Sequence, residues 1–90
     1  MLIEYDPAKD RLNRAQHGLS LTFAEQLIWD EALVWIDNRY EYDETRMIGL
    51  VPEGNDLYYV AFVDRGEIRR VISLRCAERK EIKHYAENYT

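Results

Sequence analysis

Apolar and polar positions fall into an opening strand, a helical stretch, a run of strands and a closing helix. Leu2-Ile3-Glu4-Tyr5 has the pattern of a short strand, stopped by Asp6-Pro7. Asp6 suits a helix N-cap and Pro7 a first helical residue, whose N–H has no intrahelical partner in any case. A helix over about 7–17 places Ala8, Leu12, Ala15 and the nearby Leu19 on one stripe, the predicted inward face, and Gly18 supplies its stop. Lys9, Asn13 and His17 recur at i, i+4 and i+8 on a separate polar stripe. Thr22-Phe23-Ala24-Glu25 has the form of a capping box and predicts a second, shorter helix with Phe23, Leu27 and Ile28 turned inward.

Strands dominate the rest. Residues 32–36 and 46–51 are strand-like, with a polar turn over 37–43 between them and a turn at Pro52-Glu53-Gly54-Asn55 after them. Residues 57–63 are apolar throughout, as expected of a central strand covered on both faces. A hairpin turn at Asp64-Arg65-Gly66-Glu67 leads into a strand over 68–75. Strict alternation there puts Ile68, Arg70, Ile72 and Leu74 on one face, and Arg69, Val71, Ser73 and Arg75 on the other. From Ala77 onward, Ile82, Tyr85, Ala86 and Tyr89 form the stripe of a last amphipathic helix. The expected fold is therefore α+β: a mainly antiparallel, twisted sheet with two N-terminal helices and one C-terminal helix, packed on one side. A doubly wound parallel sheet is not expected, because no helix separates the later strands.

Composition narrows the class. The 90 residues suit a single domain, 1–90, and the 47% apolar content with 11 aromatic residues supports one small core despite 32% charged residues. No apolar run is long enough for a membrane span, and the first residues lack a signal-peptide pattern, so a cytoplasmic protein without membrane contact is expected. Cys76 is the single cysteine and reads as a small buried hydrophobe; with only the distant His17 and His84 beside it, no metal site and no cofactor are expected.

The net charge of −5 hides an asymmetry. Residues 25–44 carry Arg39 against seven carboxylates, a net of −6, whereas residues 65–83 carry seven cations against three carboxylates, a net of +4. This is either an anion-facing surface on an acidic molecule or ordinary solubility. The individual side chains leave the same choice open. His17 can exchange protons near neutral pH or sit idle at a helix C-terminus. Arg75, at a strand end, can grip a phosphate bidentately or pair with Glu78, and Arg46 can do the same or pair across strands with Glu44. Tyr58 and Tyr59 read as core, His84 as structural, and Tyr85 as a hydroxyl at a groove.

Taken together, the segments resemble the BrnT family of type II toxins, small ribonucleases of RelE-like fold. Tyr5-Asp6-Pro7-Ala8-Lys9, Asn13 and His17-Gly18-Leu19-Ser20 are similar to the family opening, Glu44-Thr45-Arg46-Met47-Ile48-Gly49 to its middle element, and Ile72-Ser73-Leu74-Arg75-Cys76-Ala77 with Glu78-Arg79-Lys80 and Tyr85 to its closing signature. The resemblance implies metal-independent RNA cleavage through attack of a ribose 2′-OH on the adjacent phosphate. It implies His17 as acid or base, Lys9, Arg46 and Arg75 as phosphate-holding catalytic groups, and Arg69, Arg79 and Tyr85 as RNA-binding groups. It also implies a cognate ribbon-helix-helix antitoxin, BrnA-like, that holds the toxin in a hetero-oligomer, with DNA contacted only through that antitoxin. The acidic stretch 25–44 is a possible part of the antitoxin interface. The alternatives are a non-catalytic interaction module on the same scaffold and a toxin that poisons DNA gyrase.

Overall fold

Five strands pair into one mixed sheet in the order β1-β5-β4-β3-β2, seen in a computed structural model that describes residues 1–89. The strands are β1 (Leu2–Glu4), β2 (Leu33–Ile36), β3 (Met47–Glu53), β4 (Asp56–Arg65) and β5 (Ile68–Cys76). β2 to β5 are antiparallel neighbours, and β1 lies parallel to β5 over three residues, so the sheet is mixed. β4 is the central strand, as its unbroken apolar sequence predicts.

One face, here face A, carries the core. Val51, Tyr58, Val60, Phe62, Val71 and Leu74 pack there under Leu21, Ala24 and Leu27. Leu21 and Ala24 belong to Leu21–Gln26, which forms a 3₁₀ helix in place of the predicted α-helix, and Leu27 caps its end. Its cap is Ser20, whose Oγ accepts from the Thr22 N–H at 3.2 Å, so the cap lies two residues ahead of the predicted Thr22. A second 3₁₀ turn, Trp29–Glu31, closes the layer, with the Trp29 indole donating to the Ala24 carbonyl at 2.9 Å.

Helix α1 (Pro7–His17) has the predicted caps: Asp6 accepts from the Ala8 N–H, and Gly18 ends it at φ +71°, a left-handed conformation open to glycine. Its orientation is the reverse of the predicted one. Leu12 is 60% exposed and Ala8 and Ala15 are exposed, whereas Asp10 and Asn13 are buried. The reason lies in the sheet edge. β1 ends at Glu4 opposite Arg70, leaving the later backbone of β5 without a strand neighbour on that side. Asn13 fills the vacancy: its Oδ1 accepts from the Leu74 N–H at 3.0 Å, while its Nδ2 donates to the carbonyls of Leu74 and Leu19, each at 2.8 Å. Asp10 accepts from the Leu21 N–H at 2.7 Å and from the Ser20 hydroxyl at 3.0 Å, joining α1 to the 3₁₀ helix. A helix lying on a strand edge must offer polar groups to that edge, so its polar stripe turns inward.

Helix α2 (Arg79–Asn88) crosses the opposite face B, rather than joining α1 and the 3₁₀ helix. Glu81 bonds Arg75, His84 packs edge-on against Trp35 at 5.7 Å, and the Tyr85 hydroxyl donates to the Glu31 carbonyl at 2.6 Å. No residue of α2 is buried, and Ile82, on its predicted apolar stripe, is 50% exposed. Cys76 is exposed as well.

A bulge in β5 corrects the predicted alternation. Ser73 pairs with Ala61 but Val71 with Phe62, so Ile72 is the extra residue and the phase slips by one. Arg69, Val71 and Leu74 consequently share face A, while Arg70, Ser73 and Arg75 share face B. Arg69 and Arg75 thus lie on opposite sides of the sheet. Leu74 becomes a core residue with no exposure.

Candidate active site

Face B carries two cavities, and they divide the candidate residues between them. The first, of about 400 Å³, is lined by Lys9 from α1, by Glu41, Tyr42, Asp43, Glu44 and Arg46 from the segment between β2 and β3, and by Val63, Arg65, Arg70 and Ile72 from the hairpin of β4 and β5. Two of its cations are committed. The Arg65 Nε donates to Glu44 at 2.7 Å, and an Arg70 Nη1 donates to Glu4 at 3.1 Å. The Arg65 guanidinium holds the Glu44 carboxyl below its usual range. Arg46 is therefore not paired with Glu44, which excludes the cross-strand ion pair considered from sequence. Among the described residues, Lys9 and Arg46 have no carboxylate within ion-pair distance. The Arg46 guanidinium lies over the Tyr42 ring at 4.1 Å, and its buried Nε has no hydrogen-bond partner. A buried donor without an acceptor is a strong driver for binding an anionic oxygen.

The arrangement around Arg46 is fixed by a residue of the polar turn after β2. Asp37 is buried at the end of β2, and its N–H donates to the Arg46 carbonyl at 2.8 Å. Its carboxylate accepts from the Arg39 N–H, from Arg39 Nε and Nη2 at 2.9 Å each, and from the Tyr42 hydroxyl at 3.1 Å. The Arg39 bonds, against the cost of burial and with the backbone and Tyr42 bonds added, hold this carboxyl well below the usual carboxylate range. Asp37 thereby sets Tyr42 beneath Arg46. An Asp followed two residues on by its own N–H donor is an Asx-turn pattern, a signal that was available in the sequence.

Because the folded carboxyl of Asp37 titrates below its unfolded value of 3.8, its contribution to stability is complete above that value and is lost as pH falls toward the folded one. Thermal unfolding should then show Asp37→Asn less stable than the native chain at neutral pH, with the difference narrowing as pH falls below about 4. An equal difference at both ends of that range would remove the ionised carboxylate from this account.

The second cavity, of about 650 Å³, is lined by Asp37, Arg39, Tyr59, Arg75, Lys80 and Glu81 among others. Arg75 is not an exposed strand-end cation. It lies over the Tyr59 ring at 4.0 Å and makes two 2.9 Å bonds to Glu81, with Glu78 farther away at 3.6 Å. Burial raises the Glu81 carboxyl, but the Arg75 bonds and the Glu78 N–H outweigh it and leave the group lowered. Tyr59 is half-buried beneath Arg75, and burial pushes its phenol up against the opposing pull of Arg39 and Arg75. Tyr58 alone of the tyrosine pair lies in the core.

The remaining candidates are not brought together. Arg69 lies on face A, stacked over Trp29 and Phe62 at 4.6 and 4.2 Å and bonded to Asp64 at 2.7 Å. Arg79 is the exposed first residue of α2 and lines neither cavity. Tyr85 stacks on Tyr89 at 4.9 Å and spends its hydroxyl on Glu31. His17 is exposed at the last residue of α1, eight residues from Lys9 and therefore about 12 Å along the helix axis, and it lines neither cavity. Lys9 and Arg46 form the one shared cation site of the predicted set; Arg75 stands in the neighbouring cavity.

A family described as the ribonuclease toxin BrnT of type II toxin–antitoxin systems matches residues 5–81. The chain belongs to the BrnT family. Its fold is similar to the crystal structure of the Brucella abortus ribonuclease toxin BrnT, with a TM-score of 0.68 and 28% identity over 88% of this chain and 99% of that one. No curated protein matches the chain. Membership in the BrnT family makes the chain a member of a ribonuclease-toxin family and implies an antitoxin partner. Among the described residues, no helix is long and apolar enough to cross a membrane.

Proposed function

We propose that the protein cleaves RNA at the Lys9–Arg46 cavity of face B, inhibits growth by doing so, and is neutralised by a ribbon-helix-helix antitoxin. The observation that carries this reading is the pairing of two cations without carboxylate partners, one with an unpartnered buried Nε, in a cavity of a ribonuclease-family chain. In the reaction the ribose 2′-oxygen attacks the adjacent phosphorus and gives up its proton to solvent water, and the bond to the 5′-oxygen breaks, leaving a 2′,3′-cyclic phosphate and a 5′-hydroxyl end. Arg46 stabilises the charge that builds on the crowded phosphorane, and Lys9 holds the phosphate and supplies the proton taken by the departing 5′-oxygen. The chemistry uses no metal. Arg75 and Lys80 line the other cavity of face B, and Arg75 serves the flanking strand once it exchanges Glu81 for a phosphate.

The direct test incubates purified toxin with single-stranded RNA in EDTA. Cleavage with cyclic-phosphate ends supports the reading, whereas intact RNA at stoichiometric toxin overturns it and leaves the interaction-module alternative. Position also separates the two proton-transfer candidates. With Lys9 in the cavity and His17 about 12 Å away along α1, Lys9→Ala should lower the cleavage rate by roughly 10²-fold, and His17→Gln should leave it within about threefold. The reverse order, read from single-turnover rates, would return the proton-transfer role to His17.

A further inference from the structure

The tyrosine and carboxylate groups beside the cation cavity form a second compartment of about 230 Å³, lined by Tyr40, Tyr42, Asp43 and Arg46 among others. Tyr42, Asp43, Glu44 and Arg46 border both compartments, so the two adjoin across the Tyr42–Arg46 stack. Tyr40 is 70% exposed and meets Tyr42 edge-on at 6.1 Å. It is also pinned on both sides: Arg39 and Tyr42, its neighbours at one and two residues, bond the same buried Asp37 carboxylate. An exposed aromatic ring on a loop fixed in this way loses little conformational freedom when a flat ligand covers it.

We infer that the compartment between Tyr40 and Arg46 is a nucleobase subsite for the single-stranded RNA whose phosphate occupies the Lys9–Arg46 cavity. This rests on the ribonuclease reading above and names what the site selects. A base stacks on Tyr40, its phosphate reaches Arg46, and Asp43, which has no ion-pair or hydrogen-bond partner among the described residues, accepts from the base edge. A carboxylate only accepts, so it favours bases with an exocyclic amino group, adenine and cytosine among them, over uracil. The acidity of this segment, unfavourable toward a bare phosphate chain, thereby becomes a means of base selection. The juxtaposition of a stacking ring, an acceptor and an unpaired guanidinium matches the three parts of a nucleotide.

The test measures binding of 2′-O-methyl hexanucleotides of adenine, cytosine and uracil by fluorescence anisotropy. The methyl groups block cleavage, and cleavage of unmodified RNA is followed in parallel. The wild type should bind the adenine and cytosine oligonucleotides more tightly than the uracil one. Tyr40→Ala should weaken the tighter pair by roughly 5- to 100-fold, the effect of losing one stacked base, while Tyr40→Trp retains binding. Asp43→Asn should bring adenine and cytosine to the level of uracil. A Tyr40→Ala protein that is folded, cleaves RNA and binds all three oligonucleotides as the wild type does overturns the subsite alone. If the same variant loses affinity only for the antitoxin, Tyr40 is a protein contact and the inference is again overturned. A wild type that cleaves no RNA overturns the ribonuclease reading, and the subsite falls with it.

Discussion

Asn13→Ala is expected to be the most destabilising single substitution in α1, by about 3 kcal/mol or more in urea unfolding. The substitution removes three hydrogen bonds at once and leaves the Leu74 N–H, the Leu74 carbonyl and the Leu19 carbonyl without their present partners. The Leu74 groups are buried, so water compensates only in part, and each unpaired group costs about 1–3 kcal/mol. Domains of this size commonly hold about 5–15 kcal/mol in total, so the variant sits near the limit of folding. Asn13→Asp should be no rescue, because a carboxylate accepts from the Leu74 N–H but opposes two carbonyl oxygens with lone pairs. Leu12→Ala, one residue away and 60% exposed, should shift the midpoint little. An unfolding midpoint for Asn13→Ala within 0.5 kcal/mol of the native chain would refute the edge-closing role.

Arg46→Ala is expected to lower RNA cleavage by about 10²–10³-fold, as loss of a preorganised group facing developing charge usually does. The fold should survive, since Arg46 makes no ion pair and its removal eliminates a buried donor that has no partner. Circular dichroism and antitoxin co-elution verify the fold, and single-turnover rates then isolate the chemical step. Arg46→Lys should recover only part of the loss, because an ammonium lacks the planar fork and the stack on Tyr42. Cleavage by Arg46→Ala within threefold of the native chain would remove the cavity from the mechanism.

The strands and the caps of α1 were legible because their signals are local. Asp6, Pro7 and Gly18 act through their own backbone, and the apolar run of 57–63 reads directly as a strand buried at the centre of the sheet. The orientation of α1 was not legible. Amphipathic reasoning sends Leu12 inward, and nothing in the helix itself reports that its neighbour is a bare strand edge in need of an amide. The same limit applies to the bulge: no glycine or proline marks Ile72, so strict alternation placed Arg75 beside Arg69. The predicted α-helix after Gly18 became a 3₁₀ helix because Ser20, bonded to Thr22 and to Asp10, captures the cap two residues early. Of the candidate site, sequence similarity brought out Lys9 and Arg46, which the fold brings together. Asp37 and Tyr42 were missed since their role exists only through a buried carboxylate shared across five residues.

The extra residue at Ile72 makes β5 sensitive to length in a way that substitution does not probe. The same residues paired without the bulge would turn Leu74 toward face B and Arg75 toward the core, whereas a chain shortened by Ile72 would pair regularly with β4 and keep Leu74 in the core and Arg75 on face B. Variation in this strand is therefore constrained by counting as well as by chemistry: many side chains can be exchanged there one for another, but the bulge is the place where a residue can be dropped without exchanging the core for the site.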